Sequence, residues 1–539
     1  MIRRLHRFFR SARHAATRRR RGKPTADIGR PWLPPGIIVA ALVISTAHGR
    51  ENDSITLSPD RLTARVDELI ADHLQQIGWA PAGPCSDAEF MRRACLDLTG
   101  RPPSASEVAD FLADQHPAKR ERLVDRLVDS PEHAEHLAAV WTDYLIPEAD
   151  TPLRVTGRAG LQRWLHERFA GNLRYDRLVA DLLTASGPIE TGPTAFFLAL
   201  ETQPEKIAAR TSRVFLGVQL DCAECHDHPF SHWTQRDFWG LAAYFAQIAN
   251  GQPGMGMGGG ELIELSQGEV RLQGTDEVVF PKPLLDVGTS GLPTGTRRQQ
   301  LTLWLCAPEN PLLARTAVNR VWALLFGRGL VEPLDDIRSY EQASHPQLLQ
   351  ELTDYFVASE YDLRNLLRAL AKTELYRRSH RHPSGSAPVE SYAVMPIKPL
   401  SRRQMAASLL QVGRQIPAAD SEQIALWADR LGVLRGDASE AKLGIVTALV
   451  TLHGPDVDLL SREHRSPLLI ALTAPHMDLP QQLRWLFLAT LNRPPSVEEM
   501  QLLVSEAMQQ AEHGEEAADQ WLSDLLWALL NSTEFAMIP

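Results

Sequence analysis

Residues 58–78, "SPDRLTARVDELIADHLQQIG", decide the fold class because their apolar side chains recur every three or four positions. That period matches the 3.6 residues per turn of an α-helix, and it predicts one apolar face. Ser58, followed by acidic residues, is typical of a helix start. Similar spacing recurs to the C-terminus, so the sequence predicts a mainly α, multi-domain helical protein with a small β-hairpin insert. The apolar positions of this first helix are Leu62, Val66, Leu69, Ile70 and Leu74.

An internal repeat links the two ends of the chain. The stretches "LTGRPPSASEVADFL" and "ATLNRPPSVEEMQLLV" share Arg-Pro-Pro-Ser-x-x-Glu. Ser104 and Ser496 are each followed three residues later by a glutamate, Glu107 and Glu499. That spacing predicts a capping box, in which each side chain satisfies a backbone N–H group at the helix start. Both copies are therefore predicted to begin a helix.

Changes in composition divide the chain into segments. The Gly-rich "GQPGMGMGGG" is followed by "ELIELSQGEVRLQGTDEVVF", whose alternation around Gln-Gly predicts a β-hairpin. The Pro- and Ser-rich "SHRHPSGSAPVESYA" predicts a connection. The predicted segments are an N-terminal helical domain at 50–250, a loop and β-hairpin insert at 251–294, a second helical domain at 295–378, a linker at 379–394 and a C-terminal helical region at 395–539.

Residues 1–49 have the pattern of a signal peptide. They are rich in arginine, carry the apolar run "GIIVAALVISTA" and end near the small residues "AHG". The apolar run is too short to span a bilayer comfortably. We therefore expect a periplasmic or secreted protein with no stable membrane span after cleavage, or a membrane-anchored one if the segment stays attached.

The overall composition indicates a folded protein with room for large cores. The 539 residues are 44% hydrophobic and 23% charged, with a net charge of −10. Loss of the basic residues 1–49 would make the chain more acidic still, which disfavours nucleic acid as a partner. The five cysteines are an odd number for an oxidising compartment, where thiols are ordinarily paired.

The central stretch "LGVQLDCAECHDHPFSHW" contains C-x-x-C-H at Cys222, Cys225 and His226. Covalent haem attachment requires two thiols at i and i+3, one for each vinyl group, and an imidazole at i+4 as the iron ligand. The preceding "PEKIAARTSRVFLGVQLD" predicts one helix that begins at Pro204 and carries the cysteines at its end. The following "TQRDFWGLAAYFAQI" predicts a capped helix whose apolar stripe either covers a haem face or packs in the core.

Other chemistry is compatible with the same residues. Zinc is the second cofactor candidate, because Cys222, Cys225, His228 and His232 are four suitable ligands. Only two residues separate the two pairs, however, so one tetrahedral site would strain the loop. A disulfide or bare structural thiols are the third possibility. The candidates for a distal iron ligand are His228, His232, Met255 and Met257.

The remaining cysteines have simpler interpretations. Cys85 and Cys95 are ten residues apart, and they are either a disulfide or buried thiols. Cys306 lies in an apolar stretch and is predicted to be in the core.

The longer stretches around these motifs resemble a known pair of domains. "FMRRACLDLTGRPPSASEVADFL" and "VFLGVQLDCAECHDHPFSHWTQRDFWGLAAYFAQ" resemble the cytochrome-like domain of unknown function that is widespread in planctomycete secreted proteins. "NPLLARTAVNRVWALLFGRGLVEPLDDI" and "SHPQLLQELTDYFVASEYDLRNLLRALAKTELYRRS" resemble the companion domain that follows it. The resemblance implies a secreted, helical protein and supplies no reaction. Several residues match the pattern of the companion domain, and they form either a polar pocket or helix ends and turns. These residues are Asn319, Arg320, Trp322, Arg328, Asp335, Asp336 and His345.

These observations predict an exported protein that resembles c-type haem proteins and transfers single electrons in a cell-surface or periplasmic process, with a redox partner protein. The alternative is a non-catalytic binding or scaffolding protein with a structural metal or a disulfide at C-x-x-C-H. The sequence contains no hydrolase or nucleotide-binding motif in usable context. It does not decide whether the protein is an enzyme, and it does not give the oligomeric state.

Overall fold

The computed structural model describes residues 58–146, 152–188, 192–251, 260–287, 295–337, 339–385, 387–414, 421–431, 460–461, 466–473 and 477–539. The predicted signal peptide lies outside them. The described chain is mainly helical with small antiparallel strand pairs, which confirms the predicted fold class. The predicted domain boundaries stay a prediction.

The first helix forms as its apolar period predicts. The Ser58 hydroxyl accepts a hydrogen bond from the Arg61 N–H at 3.4 Å, and all five predicted apolar side chains are buried. The helices of the first half are α1 (Pro59–Ile77), α2 (Asp87–Thr99), α3 (Ala105–Ala113), α4 (Lys119–Val128), α5 (Pro131–Leu145), α6 (Pro152–Ala170), α7 (Tyr175–Leu183), α8 (Thr194–Ala199), α9 (Pro204–Thr211) and α10 (Gln235–Ala242).

Helices also dominate the second half. None of the described helices combines the length and the apolar character needed to cross a membrane. The helices of the second half are α11 (Arg297–Leu305), α12 (Pro311–Phe326), α13 (Pro346–Ala358), α14 (Leu363–Ala371), α15 (Arg402–Arg414), α16 (Ser421–Leu431), α17 (Pro467–Leu472), α18 (Leu479–Thr490), α19 (Val497–Ala511) and α20 (Glu515–Leu530).

Short strands form three small antiparallel sheets, with the order β1-β3-β2 in the first sheet and the pairs β4-β5 and β6-β7 in the others. The strands are β1 (Gly187–Pro188), β2 (Ile248–Gly251), β3 (Glu261–Glu264), β4 (Val270–Arg271), β5 (Val278–Val279), β6 (Lys398–Pro399) and β7 (Met537–Ile538).

The β insert contains the hairpin that the sequence predicts around Gln-Gly, because β4 and β5 pair on either side of Gln273-Gly274. The other Gln-Gly, at Gln267-Gly268, is not a hairpin turn, since β3 pairs with β2. Gly268 has a φ of 155° and packs so tightly on the Ala246 carbonyl that no Cβ fits there. Arg297 Nη1 also donates to the Gly268 carbonyl at 3.0 Å. The chain is therefore held against α10 and the 3₁₀ turn Ala243–Phe245 that extends it, instead of folding back on β3.

One hydrophobic core includes residues from both sides of the predicted insert. Phe90, Phe215, Trp322 and Leu366 are all fully buried members of it. A second core joins α15 to α20 with the C-terminal strand. The segment before the insert and the segment after it are therefore packed together.

The internal repeat forms the capping boxes that its sequence predicts. In both copies the serine side chain accepts from the backbone N–H of the glutamate, and the glutamate accepts from the serine N–H. The two copies also contact each other, because Asn492 Nδ2 donates to the Pro103 carbonyl at 3.0 Å. Leu96 lies in the second core and Leu488 in the first, at equivalent positions of the repeat. The repeat therefore joins the two cores.

Candidate functional site

The chain reaches the C-x-x-C-H motif through a broken helix. α9 begins at Pro204, as predicted, but it ends at Thr211 and is followed by a π-helical turn at Ser212–Leu216. Gly217 then adopts a left-handed φ of 64°, and a Cβ there would lie 2.6 Å from Thr316 Oγ1. Glycine is required at this contact and ends the helix. The prediction of one helix that carries the cysteines at its end is therefore wrong.

The motif itself begins on a separate 3₁₀ turn, Asp221–Ala223. The Ala223 N–H donates to the Leu220 carbonyl at 2.8 Å, and Ala223 is buried. Cys222 and Cys225 are both exposed and both are free thiols. A buried alanine thus anchors the turn, and the two thiols lie three positions apart in contact with solvent.

His226 is exposed directly after the second thiol. Its Nδ1 lies 2.8 Å from the Asp227 carbonyl oxygen. The Asp227 carboxylate is itself fixed by the Gln235 N–H, at 2.8 Å. A histidine whose Nδ1 donates to a backbone carbonyl presents Nε2 as its metal-binding nitrogen.

Helix α10 holds the second half of the motif. Gln235 Nε2 donates to the carbonyls of Glu224 and Cys225, both at 3.1 Å. Trp239 Nε1 donates to the same Glu224 carbonyl at 3.1 Å. These bonds satisfy the backbone carbonyls beside Cys225 and leave its thiol free for chemistry.

The start of α10 is fixed as the sequence predicts. Thr234 and Asp237 form a complete capping box. The apolar stripe of this segment is buried in the core, so it is not exposed beside the motif. The stripe residues are Phe238, Leu241, Ala242, Phe245 and Ile248.

A partly buried ion-pair network holds the first half of the motif. Arg213 Nε donates to Asp221 Oδ2 at 2.6 Å, and Arg213 Nη1 donates to Asp335 Oδ2 at 2.5 Å. Gln219 Nε2 donates to the other oxygen of Asp335 at 2.7 Å. Burial disfavours the charged guanidinium, but the hydrogen bonds to the two carboxylates outweigh it and raise the pKa of Arg213. Asp335 is far along the chain, after α12.

Carboxylates give the motif an acidic neighbourhood. Burial raises the pKa of Glu224, and repulsion from Glu205 and Asp221 raises it further. Glu224, which lies between the two thiols in the chain, is therefore near other acidic residues. Their negative charge favours a positively charged group beside the motif.

The two histidines that follow the motif make separate local contacts. His228 Nδ1 accepts from the Phe230 N–H at 3.1 Å, while the His232 ring lies 4.1 Å from the Trp233 ring. Phe230 is 80% exposed. Among the described residues, no group of three or more His, Cys, Asp or Glu lies close enough to hold a metal. The four predicted zinc ligands are thus not gathered into a cluster.

The other candidate distal ligands, Met255 and Met257, lie outside the described residues. A sixth iron ligand from either methionine, His228 or His232 therefore stays a prediction.

The remaining cysteines are free thiols. Cys85 and Cys95 are both buried and unpaired, and burial raises the pKa of each. Cys306 is partly buried, and its Sγ lies 3.3 Å from the Asp176 carbonyl oxygen. Of the two interpretations of Cys85 and Cys95, the structure therefore shows buried thiols.

Several residues of the companion pattern stabilise turns instead of lining one pocket. Asn319 Nδ2 donates to the Val331 carbonyl at 2.9 Å, and Asn319 Oδ1 accepts from the Val331 N–H at 3.0 Å. Trp322 Nε1 donates to the Tyr392 hydroxyl at 2.9 Å. The buried His345 ring packs 4.2 Å from the His73 ring, and burial lowers the pKa of His345 to about 4.

Sequence inspection missed Arg213, Gln219 and Trp239 as residues of the site. Trp239 could be found from its place one helical turn after the capping box of α10. Arg213 and Gln219 carry no local signal, because Asp335 is 122 and 116 positions away from them.

Two family models match the chain. Residues 65–250 match the family described as "PSCyt2: Protein of unknown function (DUF1549)". Residues 297–424 match the family described as "PSD1: Protein of unknown function (DUF1553)". The chain therefore carries two domains of unknown function in that order, which confirms the predicted paired arrangement. No curated protein and no solved structure gave a match.

Proposed function

We propose that the protein is an exported one-electron carrier that holds one c-type haem through Cys222 and Cys225, with His226 as an axial iron ligand. The observation that carries the proposal is the arrangement of these residues. The two thiols are free, exposed and three positions apart, and the next residue is an exposed imidazole fixed through Nδ1. C-x-x-C-H is the spacing that covalent haem attachment requires.

The chemistry of the donors fits this group. If haem is supplied, each thiol would add across the double bond of one vinyl group, so that a sulfur–carbon bond would form and the thiol hydrogen would move to the other vinyl carbon. The addition consumes no oxidant. The Nδ1 contact of His226 with the Asp227 carbonyl at 2.8 Å selects the tautomer in which Nε2 is free to bind iron. A bound haem supplies a one-electron couple.

The exposure of the site favours electron exchange with another protein. Cys222, Cys225 and His226 all lie at the surface, and the 80% exposed Phe230 lies close behind them in the chain. The acidic residues around Glu224 favour a partner with positive charge at its contact surface. Export is part of the proposal because residues 1–49 have the pattern of a signal peptide.

The proposal is tested by expressing the full chain with a c-haem maturation system. The purified protein is denatured and extracted with acidified acetone, and the reduced spectrum is then recorded in alkaline pyridine. We expect the haem bands to stay with the polypeptide. Cys222→Ala combined with Cys225→Ala should abolish them, whereas Cys306→Ser, the matched control at a partly buried thiol, should not.

The same preparation separates the alternatives. Absence of covalent haem in the wild-type protein would overturn the proposal. Zinc bound in stoichiometric amount, and lost in the double cysteine variant, would instead support a structural metal site. A Cys222–Cys225 disulfide found by peptide mapping, without haem or zinc, would support the scaffolding alternative.

A further inference from the structure

We propose that Arg213 and Asp335 are positioning residues for the turn that carries Cys222, so that the segment at 297–424 builds part of the site that lies within 65–250. The inference rests on the proposed function, because it assigns these residues a role in haem placement. The network itself, however, can be tested without haem.

Arg213 makes the central contact. Its guanidinium donates through both Nε and Nη2 to Asp221, the residue immediately before Cys222. Its third nitrogen donates to Asp335 at 2.5 Å. A planar arginine fork that satisfies two carboxylates fixes orientation as well as distance. The backbone at Cys222 is thus fixed relative to a carboxylate on the companion segment.

Residues 297–424, the companion segment, contact the chain before Cys222 at further points besides Arg213. Asp335 accepts from Gln219 at 2.7 Å, and the Ile337 N–H donates to the Gly217 carbonyl at 2.7 Å. Residues 213–221 are therefore held by residues 335–337 on both sides of the left-handed Gly217. Loss of one contact leaves the others in place, so single substitutions should loosen the turn without unfolding the protein.

Helix α12 also contacts the segment that carries Arg213 and Gly217. Arg320 Nη2 donates to the Arg213 carbonyl at 2.8 Å, and its guanidinium lies 4.4 Å from the centre of the Tyr144 ring. Arg320 is buried, as is Thr316, which packs on Gly217 one helical turn earlier. The π-helical turn at Ser212–Leu216, the type of distortion often found at functional sites, lies against this helix.

The first experiment uses the full chain without haem and follows amide hydrogen exchange in residues 217–225. Hydrogen bonds to charged groups contribute about 1.5–3 kcal/mol, which corresponds to at least a roughly tenfold change in local opening. We expect about tenfold faster exchange in Arg213→Gln and in Asp335→Asn. Gln219→Ala, a milder change at a partly buried side chain, should accelerate exchange less.

The matched control is Arg236→Gln on helix α10, which removes an exposed ion pair with Glu277. It should leave exchange in 217–225 unchanged. Exchange within the buried α2 reports whether each variant is folded. Wild-type exchange in 217–225 for Arg213→Gln, Asp335→Asn and Gln219→Ala alike would overturn the proposal.

The second experiment measures the midpoint potential of the haem-loaded variants. Loss of the Arg213 charge should stabilise the ferric state and lower the potential, whereas loss of the Asp335 charge should raise it. Arg213→Lys, which keeps the charge, should restore the potential but not the slow exchange. Potentials that shift in the same direction, or not at all, would overturn the positioning role. If no haem attaches even to the wild type, the proposed function fails, and the exchange experiment still decides whether the network holds the turn.

Discussion

At the scale of single residues, Gly217 shows how a backbone constraint places the motif. Its left-handed φ of 64° ends the π-helical turn and directs the chain to Cys222. Thr316 Oγ1 would lie 2.6 Å from an added Cβ. The site therefore depends on a residue that has no side chain.

Substitution of Gly217 separates backbone strain from steric clash. Gly217→Ala should destabilise the protein by roughly 3 kcal/mol, because the left-handed strain adds to the overpacking against Thr316. Gly78→Ala is the matched control, since Gly78 has a φ of 73° but no heavy atom within 4 Å. It should cost only about 1 kcal/mol in chemical denaturation. Equal losses in the two variants would show that the contact with Thr316 does not constrain Gly217.

A buried histidine predicts the acid sensitivity of the fold. His133 is 2% exposed, its Nδ1 lies 2.7 Å from the Leu98 carbonyl, and burial lowers its pKa to about 4. Because the unfolded chain takes up this proton near pH 6.5, stability should fall as the pH falls from about 6.5 to 4. The full shift corresponds to at most about 3 kcal/mol.

Denaturant titrations between pH 7 and 4 check this expectation. His133→Gln cannot titrate, so the stability of this variant should depend less on pH in that window. His513→Gln, at an exposed position, should keep the wild-type slope. A wild-type slope in His133→Gln would show that other groups control the acid sensitivity.

The sequence predicted the residues of the motif, but it did not predict the residues that contact the motif in the folded chain. Cys222, Cys225 and His226 are proposed as the haem-binding residues from spacing alone, because covalent attachment requires that spacing. Arg213 and Asp335 were not connected, because their contact spans 122 positions and no periodic pattern encodes it. Residues that act through tertiary contacts are visible only in the folded chain.

At the scale of elements, local signals predicted helix starts and one hairpin, whereas contacts between distant elements were not predicted. The capping boxes at Ser104, Ser496 and Thr234 form as predicted, because each depends on residues within one turn. The hairpin of β4 and β5 forms around Gln-Gly as predicted. The pairing of β3 with β2 was not predicted, because it depends on contacts such as that of Gly268 with Ala246. The same limit applies to the π-helical turn after α9, because it ends at Gly217, which packs against Thr316 of α12.

Two adjacent arginines on α2 hold two similar turns. Arg92 Nη2 and Nε donate to the carbonyls of Phe535 and Met537, at 2.7 and 3.3 Å. Arg93 Nη1 donates to those of Tyr376 and Arg378, at 2.5 and 3.1 Å. The first of these turns follows α20 and the second follows α14, so α2 connects the ends of the two helices.

Reciprocal variants test this connection. Arg92→Met should accelerate amide exchange in residues 532–538 and leave residues 373–379 protected, and Arg93→Met should do the reverse. Each should cost at least about 2 kcal/mol, because buried carbonyls lose charged donors. Equal acceleration of both turns in either variant would contradict separate roles for the two arginines.

At the scale of the whole molecule, the two matched segments share one hydrophobic core. Phe215 and Trp322 are both fully buried in it, although they come from different family matches. The buried Lys398 adds a polar link, because its Nζ donates to Asp97 at 2.5 Å and to the Leu325 carbonyl at 2.6 Å. The segments at 65–250 and 297–424 are therefore expected to fold as one cooperative unit.

Hydrogen exchange along a denaturant series tests this cooperativity. Core peptides from α2, α9, α12 and α14 should lose protection at one common denaturant concentration. Separate midpoints for the peptides before and after the β insert would show that the two segments unfold independently.

The central claim is that Cys222 and Cys225 attach haem covalently, and peptide mass spectrometry tests it most directly. The full chain is matured with haem, purified under denaturing conditions and digested. The account predicts that the peptide containing Cys222–His226 carries the mass of one haem and that peptides containing Cys85, Cys95 or Cys306 carry none. An unmodified Cys222–His226 peptide from wild-type protein would contradict it.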